Sequence, residues 1–146
     1  MSAGYSGTPL ATKLSLKDGL RTWWEGMPGS VRAEIEAEGL ALDLIERPEA
    51  PIDAAHLFVT QRAELKARVR ALLPLLAPDG FLWVSWPKKA AKVETDITED
   101  VIRDVVLPLG LVDVKVCAVD AIWSGLKLVI RRELRSSPVR GGGPPP

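Results

Sequence analysis

Apolar residues recur along this chain in two spacings. The continuous runs 54-AAHLFVT-60 and 81-FLWVSW-86 have the length and content of strands buried on both faces. Residues 61–76 instead place Leu65, Val69, Leu72, Leu73 and Leu76 on one helical face, with Pro74 ending or kinking that helix. Earlier in the chain, a helical turn within 9–14 and a turn at Lys17-Asp18-Gly19 precede 20-LRTWWE-25, which reads as a strand on its Thr and Trp content. Ser30 stands as N-cap of a helix over 31–38, in which Val31 and Ile35 are one turn apart, and Gly39 suits the left-handed residue that closes it. The aliphatic run 40–46 predicts a short strand, and 77-APDG-80 a turn. Asp96, three residues before Glu99, resembles a capping box for a helix striped by Ile97, Val101, Ile102, Val105 and Val106 and closed by Gly110. Residues 111–119 and 126–133, joined by 120–125, predict an antiparallel hairpin.

Strands alternating with helices imply an α/β domain with helices on both faces of a mostly parallel sheet of about six strands. One connection resists that rule. Residues 47–53 are too few for a crossover helix, yet fully extended they reach roughly 24 Å, the length of a strand. The segment is therefore either an extended crossover or the link of an antiparallel pair.

Composition narrows the class. At 146 residues the chain predicts one domain, residues 1–134, followed by a Gly/Pro-rich tail, 135–146, expected to be disordered. Nineteen basic and nineteen acidic residues cancel, so no bulk attraction to nucleic acid or an anionic membrane is expected; such binding would need a local patch. A single cysteine, Cys117, and a single histidine, His56, argue against a disulfide and a metal site. Both lie inside apolar strands, where an inert core thiol and a core histidine bonded to backbone are expected. The amino terminus lacks a basic stretch leading into an apolar one, and no apolar run has the roughly 18 residues of a membrane span, so a cytoplasmic protein is expected.

The order strand, glycine turn, helix, strand, and then a strand leading through a helix to residues 77–86 and a closing hairpin, resembles the S-adenosylmethionine-dependent methyltransferase fold. That resemblance implies a last strand, near 126–132, inserted antiparallel beside the strand at 81–86. The motifs 4-GYSGTPL-10, 84-VSWPKK-89, 95-TDITEDVIR-103, 115-KVCAVD-120 and 122-IWSGLKLV-129 are similar to a small bacterial family catalogued as domain of unknown function 3052, over most of residues 1–132. This second resemblance implies a fold and no reaction. Against a working methyltransferase, the glycine loop is reduced to Gly26 and Gly29, and the usual second helix, third strand and third helix are missing between Glu46 and Ala54.

Ligands of open α/β sheets sit beyond the carboxyl ends of the strands. That rule selects Gly26 and Gly29 as cofactor-loop candidates, and Glu46, twenty residues after Gly26, as an acceptor for ribose hydroxyls; the competing reading of the glycines is a tight turn. It also selects Thr60 and the segment Ser85, Trp86, Pro87, Lys88 and Lys89, whose lysines precede a helix amino terminus suited to an anion. Glu94, Asp96, Glu99 and Asp100 oppose that anion, because they already complement the helix dipole and are expected to pair in part with the lysines. The Trp86-Pro87 bond is open to either isomer. Trp123 and Ser124 form a further candidate, against the plainer role of a hairpin loop with an anchoring ring, and Tyr5 to Thr8 could fold over the sheet edge as a lid.

Three functions fit. The preferred one is a non-catalytic or degenerate methyltransferase-like module that binds a small molecule or a protein partner. The second is a small transferase using S-adenosylmethionine or a nucleotide, and the third an oligomeric interaction protein with tryptophans at its interface. Nothing in the sequence fixes the ligand, the cofactor or the oligomeric state.

Overall fold

The computed structural model describes residues 8–135. Its elements in chain order are α1 (Leu10–Lys13), β1 (Arg21–Glu25), α2 (Gly29–Glu36), β2 (Asp43–Leu44), β3 (Ile52–Phe58), α3 (Arg62–Leu72), β4 (Leu76–Pro87), α4 (Glu99–Val106), β5 (Leu111–Ala118), β6 (Trp123–Ile130) and α5 (Arg132–Arg135). The strands form one sheet in the order β2-β1-β3-β4-β6-β5. The first four run parallel, while β6 is antiparallel to both β4 and β5. The final strand thus inserts beside β4, as the methyltransferase resemblance implies. Tyr5 to Gly7 and residues 136–146 lie outside the described residues, as does the lid expected of the former.

Both faces of the sheet are covered. Leu65, Val69 and Leu72 of α3 and Ile102, Val105 and Val106 of α4 pack with Leu57, Leu82, Val84, Leu126 and Leu128 on one face. Leu10 and Ala11 of α1 and Val31 and Ile35 of α2 pack with Ala54, Phe58, Phe81 and Trp83 on the other. Successive residues of a strand point to opposite faces, which is why β3 and β4 carry unbroken apolar runs.

The link between β2 and β3 is the extended crossover, not an antiparallel turn: β2 and β3 flank β1, and both are parallel to it. Arg21 fastens this segment, its backbone N–H donating to Asp53 Oδ2 at 2.9 Å and its Nε to the Pro51 carbonyl at 2.8 Å. With the crossover so tied, β2 keeps only two residues of the strand expected over 40–46.

Several local expectations are corrected. Residues 77–80 are no turn between elements but an irregularity inside β4, where register advances from Ile52 to Ala54 on β3 and from Leu76 to Phe81 on β4. The helix expected through residue 76 ends at Leu72 and tightens into a 3-10 turn at Leu73–Leu75, which carries Pro74. Ser30 lies within α2, whose N-cap is Pro28. The N-cap of α4 is Thr98, whose hydroxyl accepts from the Val101 N–H at 3.1 Å, so Asp96 and Glu99 form no capping box. Strand β6 stops at Ile130, and Arg132–Arg135 is helical. Gly110, at φ 102°, closes the 3-10 turn after α4 as expected.

Gly80 shows why the irregular part of β4 tolerates only a hydrogen as side chain. A Cβ there would lie 2.8 Å from the Ile52 carbonyl oxygen and 3.1 Å from those of Ala77 and Asp53, all backbone atoms. Gly80→Ala is expected to lower the unfolding free energy by about 2 kcal/mol or more, read as a lowered urea midpoint; an unchanged midpoint would show that this backbone yields.

Candidate functional site

The carboxyl ends of β1, β3 and β4 open toward the same edge of the sheet, where a ligand of this architecture would be expected. At the end of β1, Glu25 is already engaged. Its Oε1 accepts from Trp23 Nε1 at 2.9 Å and from Arg68 Nη2 of α3 at 2.8 Å, and its Oε2 accepts from Arg68 Nε. Burial pushes the Glu25 carboxyl up, but the hydrogen bonds from Arg68 and Trp23 and the Arg68 charge outweigh it and leave the group below the usual carboxylate range. The Arg68 guanidinium is raised in turn, first by the hydrogen bond to Glu25.

Gly26 follows at φ 75°, and a Cβ there would meet the Phe58 carbonyl oxygen at 2.9 Å. The loop after β1 thus closes directly onto the end of β3. Gly29 has open space where a side chain would be and simply begins α2. Glu46 is exposed beyond β2.

Thr60, just past β3, serves as an anchor through its backbone. Its carbonyl accepts from Thr95 Oγ1 at 2.6 Å and from the Asp96 N–H at 3.3 Å, while Asp96 Oδ1 accepts from the Arg62 N–H at 2.7 Å. Asp96 therefore caps α3, an element far from it in sequence, and the spacing to Glu99 that drew attention to it is coincidental. Glu99 and Asp100 pair with Arg103 and not with the lysines. Lys88, half-buried, and Lys89, exposed, have no ion pair among the described residues.

The segment at residues 85–89 does not present one face. Ser85 and Pro87 point with their cross-strand partners Gly125 and Trp123 toward the side of α1 and α2, whereas Trp86 joins the core under α3 and α4, with Ser124 opposite it. The Trp86-Pro87 bond is trans; the cis peptide among the described residues is Ala50-Pro51. The Lys88 N–H donates to the Ile122 carbonyl at 2.7 Å, tying the exit from β4 to the hairpin. Trp123 begins β6 rather than lying in a loop, and its ring meets Phe58 edge-on at a centroid distance of 5.1 Å.

The pair His56 and Ser85 was not foreseen. His56 Nε2 and Ser85 Oγ lie 2.7 Å apart in a hydrogen bond, so the histidine is satisfied by a side chain and not by backbone. His56 also stacks on Phe58 at 4.4 Å, and Gly125 leaves the room, since a Cβ there would come within 3.2 Å of Ser85 Oγ. The available signal was that each is a polar residue enclosed within an apolar run. Burial pushes the His56 imidazolium down to about 3, so the ring is neutral at ordinary pH. Burial likewise raises the half-buried Cys117 thiol, against the lowering effect of Lys13 and Lys115, in line with an inert thiol. No group of three or more His, Cys, Asp or Glu among the described residues is placed to hold a metal ion, and no helix there is long and apolar enough to cross a membrane.

The fold class is that of methyltransferases of the Rossmann-like kind. Magnesium protoporphyrin IX methyltransferase from Synechocystis PCC 6803, with bound S-adenosylmethionine, superposes with a TM-score of 0.56 at 15% identity over 84% of this chain and 74% of that one. The ribosomal protein L11 methylase from Lactobacillus delbrueckii subsp. bulgaricus gives 0.53 at 11% identity over 84% and 78%. An S-adenosylmethionine-dependent methyltransferase from Clostridium acetobutylicum ATCC 824 gives 0.51 at 10% identity over 76% and 75%. These likenesses show the fold alone. No protein-family model matches the chain, and no curated protein does, so the resemblance to domain of unknown function 3052 rests on its motifs.

His56 makes stability depend on pH in a definite direction. Its folded value of about 3 lies below the ordinary 6.5, so between the two the unfolded chain binds a proton that the folded chain does not. Stability is fully present above pH 6.5 and is expected to fall below it at up to about 1.4 kcal/mol per pH unit. Urea unfolding between pH 7.5 and about 5, where most carboxylates stay ionised, reads this slope, and His56→Gln is expected to flatten it. The same slope in both proteins would assign it to other groups.

Proposed function

We propose that the chain is a binding module on a reduced methyltransferase-like fold, that it transfers no methyl group, and that its ligand is a small molecule or a protein partner met at the carboxyl ends of the strands. The observation that carries this reading is the closure of Glu25: both carboxylate oxygens are taken by Arg68 and Trp23, and Gly26 rests on Phe58. S-adenosylmethionine fits such an end poorly. The acidic side chain that terminates β1 has both oxygens engaged by Arg68 and Trp23, Gly26 abuts the Phe58 carbonyl, and Glu46 lies exposed two residues beyond the two-residue edge strand β2. The one histidine, His56, is buried in the sheet and hydrogen-bonded to Ser85, away from the strand ends.

A second reading, a small transferase using S-adenosylmethionine or a nucleotide with Glu46 on the ribose and residues 85–89 near the substrate, draws on the cofactor seen in the superposed Synechocystis enzyme. Isothermal titration separates the two. The module reading expects no heat from S-adenosylmethionine or S-adenosylhomocysteine at about 0.5 mM, a weak-binding limit near 4 to 5 kcal/mol. A saturable one-to-one isotherm with either would overturn it in favour of the transferase.

A further inference from the structure

Lys115 of β5 and Lys127 of β6 are direct register partners. Like charges in that relation destabilise a sheet. The pairing arises from an irregularity in β5: Asp113 stands opposite Leu128 and Lys115 opposite Lys127, which leaves Val114 as an extra residue. A bulge of this kind re-aims the side chains that follow it. With regular pairing Val114 would face Lys127; the extra residue instead turns Lys115 onto the face that α1 covers.

There the two ammonium groups meet the end of α1. Lys115 Nζ donates to the Lys13 carbonyl at 3.1 Å, and Lys127 Nζ donates to Ser15 Oγ at 2.9 Å while lying 4.6 Å from the centre of the Phe81 ring. Ser15 itself adopts φ 64°, a left-handed conformation uncommon for a residue with a Cβ. Lys13 and Lys17 bracket it. Burial lowers the Lys127 ammonium, and the charges of Lys115 and Lys17 lower it further, so the lysines feel one another. None of the four has a carboxylate partner among the described residues, although arginines elsewhere in the molecule do. In a chain of net charge zero this is a local excess of cations assembled by a bulge.

We propose that these four lysines bind a diphosphate group, carried by inorganic pyrophosphate or by a nucleoside diphosphate, between Lys115 and Lys127 of the sheet and Lys13 and Lys17 at the end of α1. A carboxylate would neutralise one of the four charges; a diphosphate carries enough charge, and enough acceptor oxygens, to engage all of them. Ammonium groups on flexible stems suit it, because each offers three donors and can turn one outward while keeping its present bond. The site lies on the α1 face opposite the middle of β4, where Lys127 pairs with Trp83, and shares no residue with the segment 85–89.

The test titrates inorganic pyrophosphate and adenosine diphosphate separately into the full chain at low ionic strength. Saturable one-to-one binding is expected with a dissociation constant below about 1 mM, weakening as salt is raised. Lys115→Gln and Lys127→Met, the latter keeping an unbranched stem over Phe81, are each expected to weaken it about tenfold or more, and Lys66→Gln, at an exposed position of α3 on the opposite face, to leave it unchanged. Tighter binding of the nucleotide would mean that the nucleoside adds contacts; equal binding would mean that the diphosphate suffices. Absence of saturable binding by either ligand up to about 5 mM, or binding that survives in folded Lys115→Gln, would overturn the proposal.

Discussion

β3 and β4 occupy the middle of the sheet, and from Ala54 to Phe58 and from Gly80 to Pro87 every residue on them is buried. A strand in that position must be covered on both sides, because its side chains alternate between the faces while its backbone polar groups are spent on its neighbours. The rest of the structure follows from that demand. α3 and α4 close one face and α1 and α2 the other, while β6 supplies β4 with its outer neighbour by running antiparallel. Polar residues inside these strands have to find partners within the core. His56 finds Ser85, and Trp83 Nε1 donates to the Leu14 carbonyl at 2.9 Å, which draws the end of α1 onto the sheet.

Much of this architecture was legible in the sequence, because two-sided burial writes itself as unbroken apolar runs and helices as a stripe. The strands at 20–25, 54–60 and 81–86, the striped helices and the closing hairpin all reappear within a few residues. What was misread is local backbone chemistry. Residues 77–80 carry the Pro, Asp and Gly of a turn, yet those residues serve a bulge, since a bulge and a turn ask for the same conformational freedom. Ser30 and Asp96 have capping side chains but not the capping positions; which polar residue caps a helix depends on where the incoming chain lies, and for α3 that chain arrives from the loop before α4. The two-residue length of β2 could not be read from its aliphatics, because an edge strand is shortened by what holds the adjoining crossover, here Arg21.

The candidate site was less legible. Position at a strand's carboxyl end is a property of the backbone and identified the right edge, but direction is a property of register, and register divides Ser85, Pro87 and Trp123 from Trp86 and Ser124. The interactions that define this edge, Arg68 with Glu25, Gly26 with Phe58 and Asp96 with Arg62, all join residues distant in sequence. Pattern within a segment carries no information about such pairs. Glu25 and Asp96 are taken up by Arg68, Trp23 and Arg62, whereas Lys88 and Lys89 have no ion pair among the described residues.

The loop at Thr95 and Asp96 ties together elements that the chain order keeps apart. Through Thr60 it grips the end of β3, through Arg62 it completes the first turn of α3, and two residues later Thr98 starts α4. Without this loop the Arg62 N–H in the first turn of α3 would lose its acceptor, Asp96. One loop thus supplies the cap of α3 and the start of α4, while α1 and α2 lie on the opposite face of the sheet.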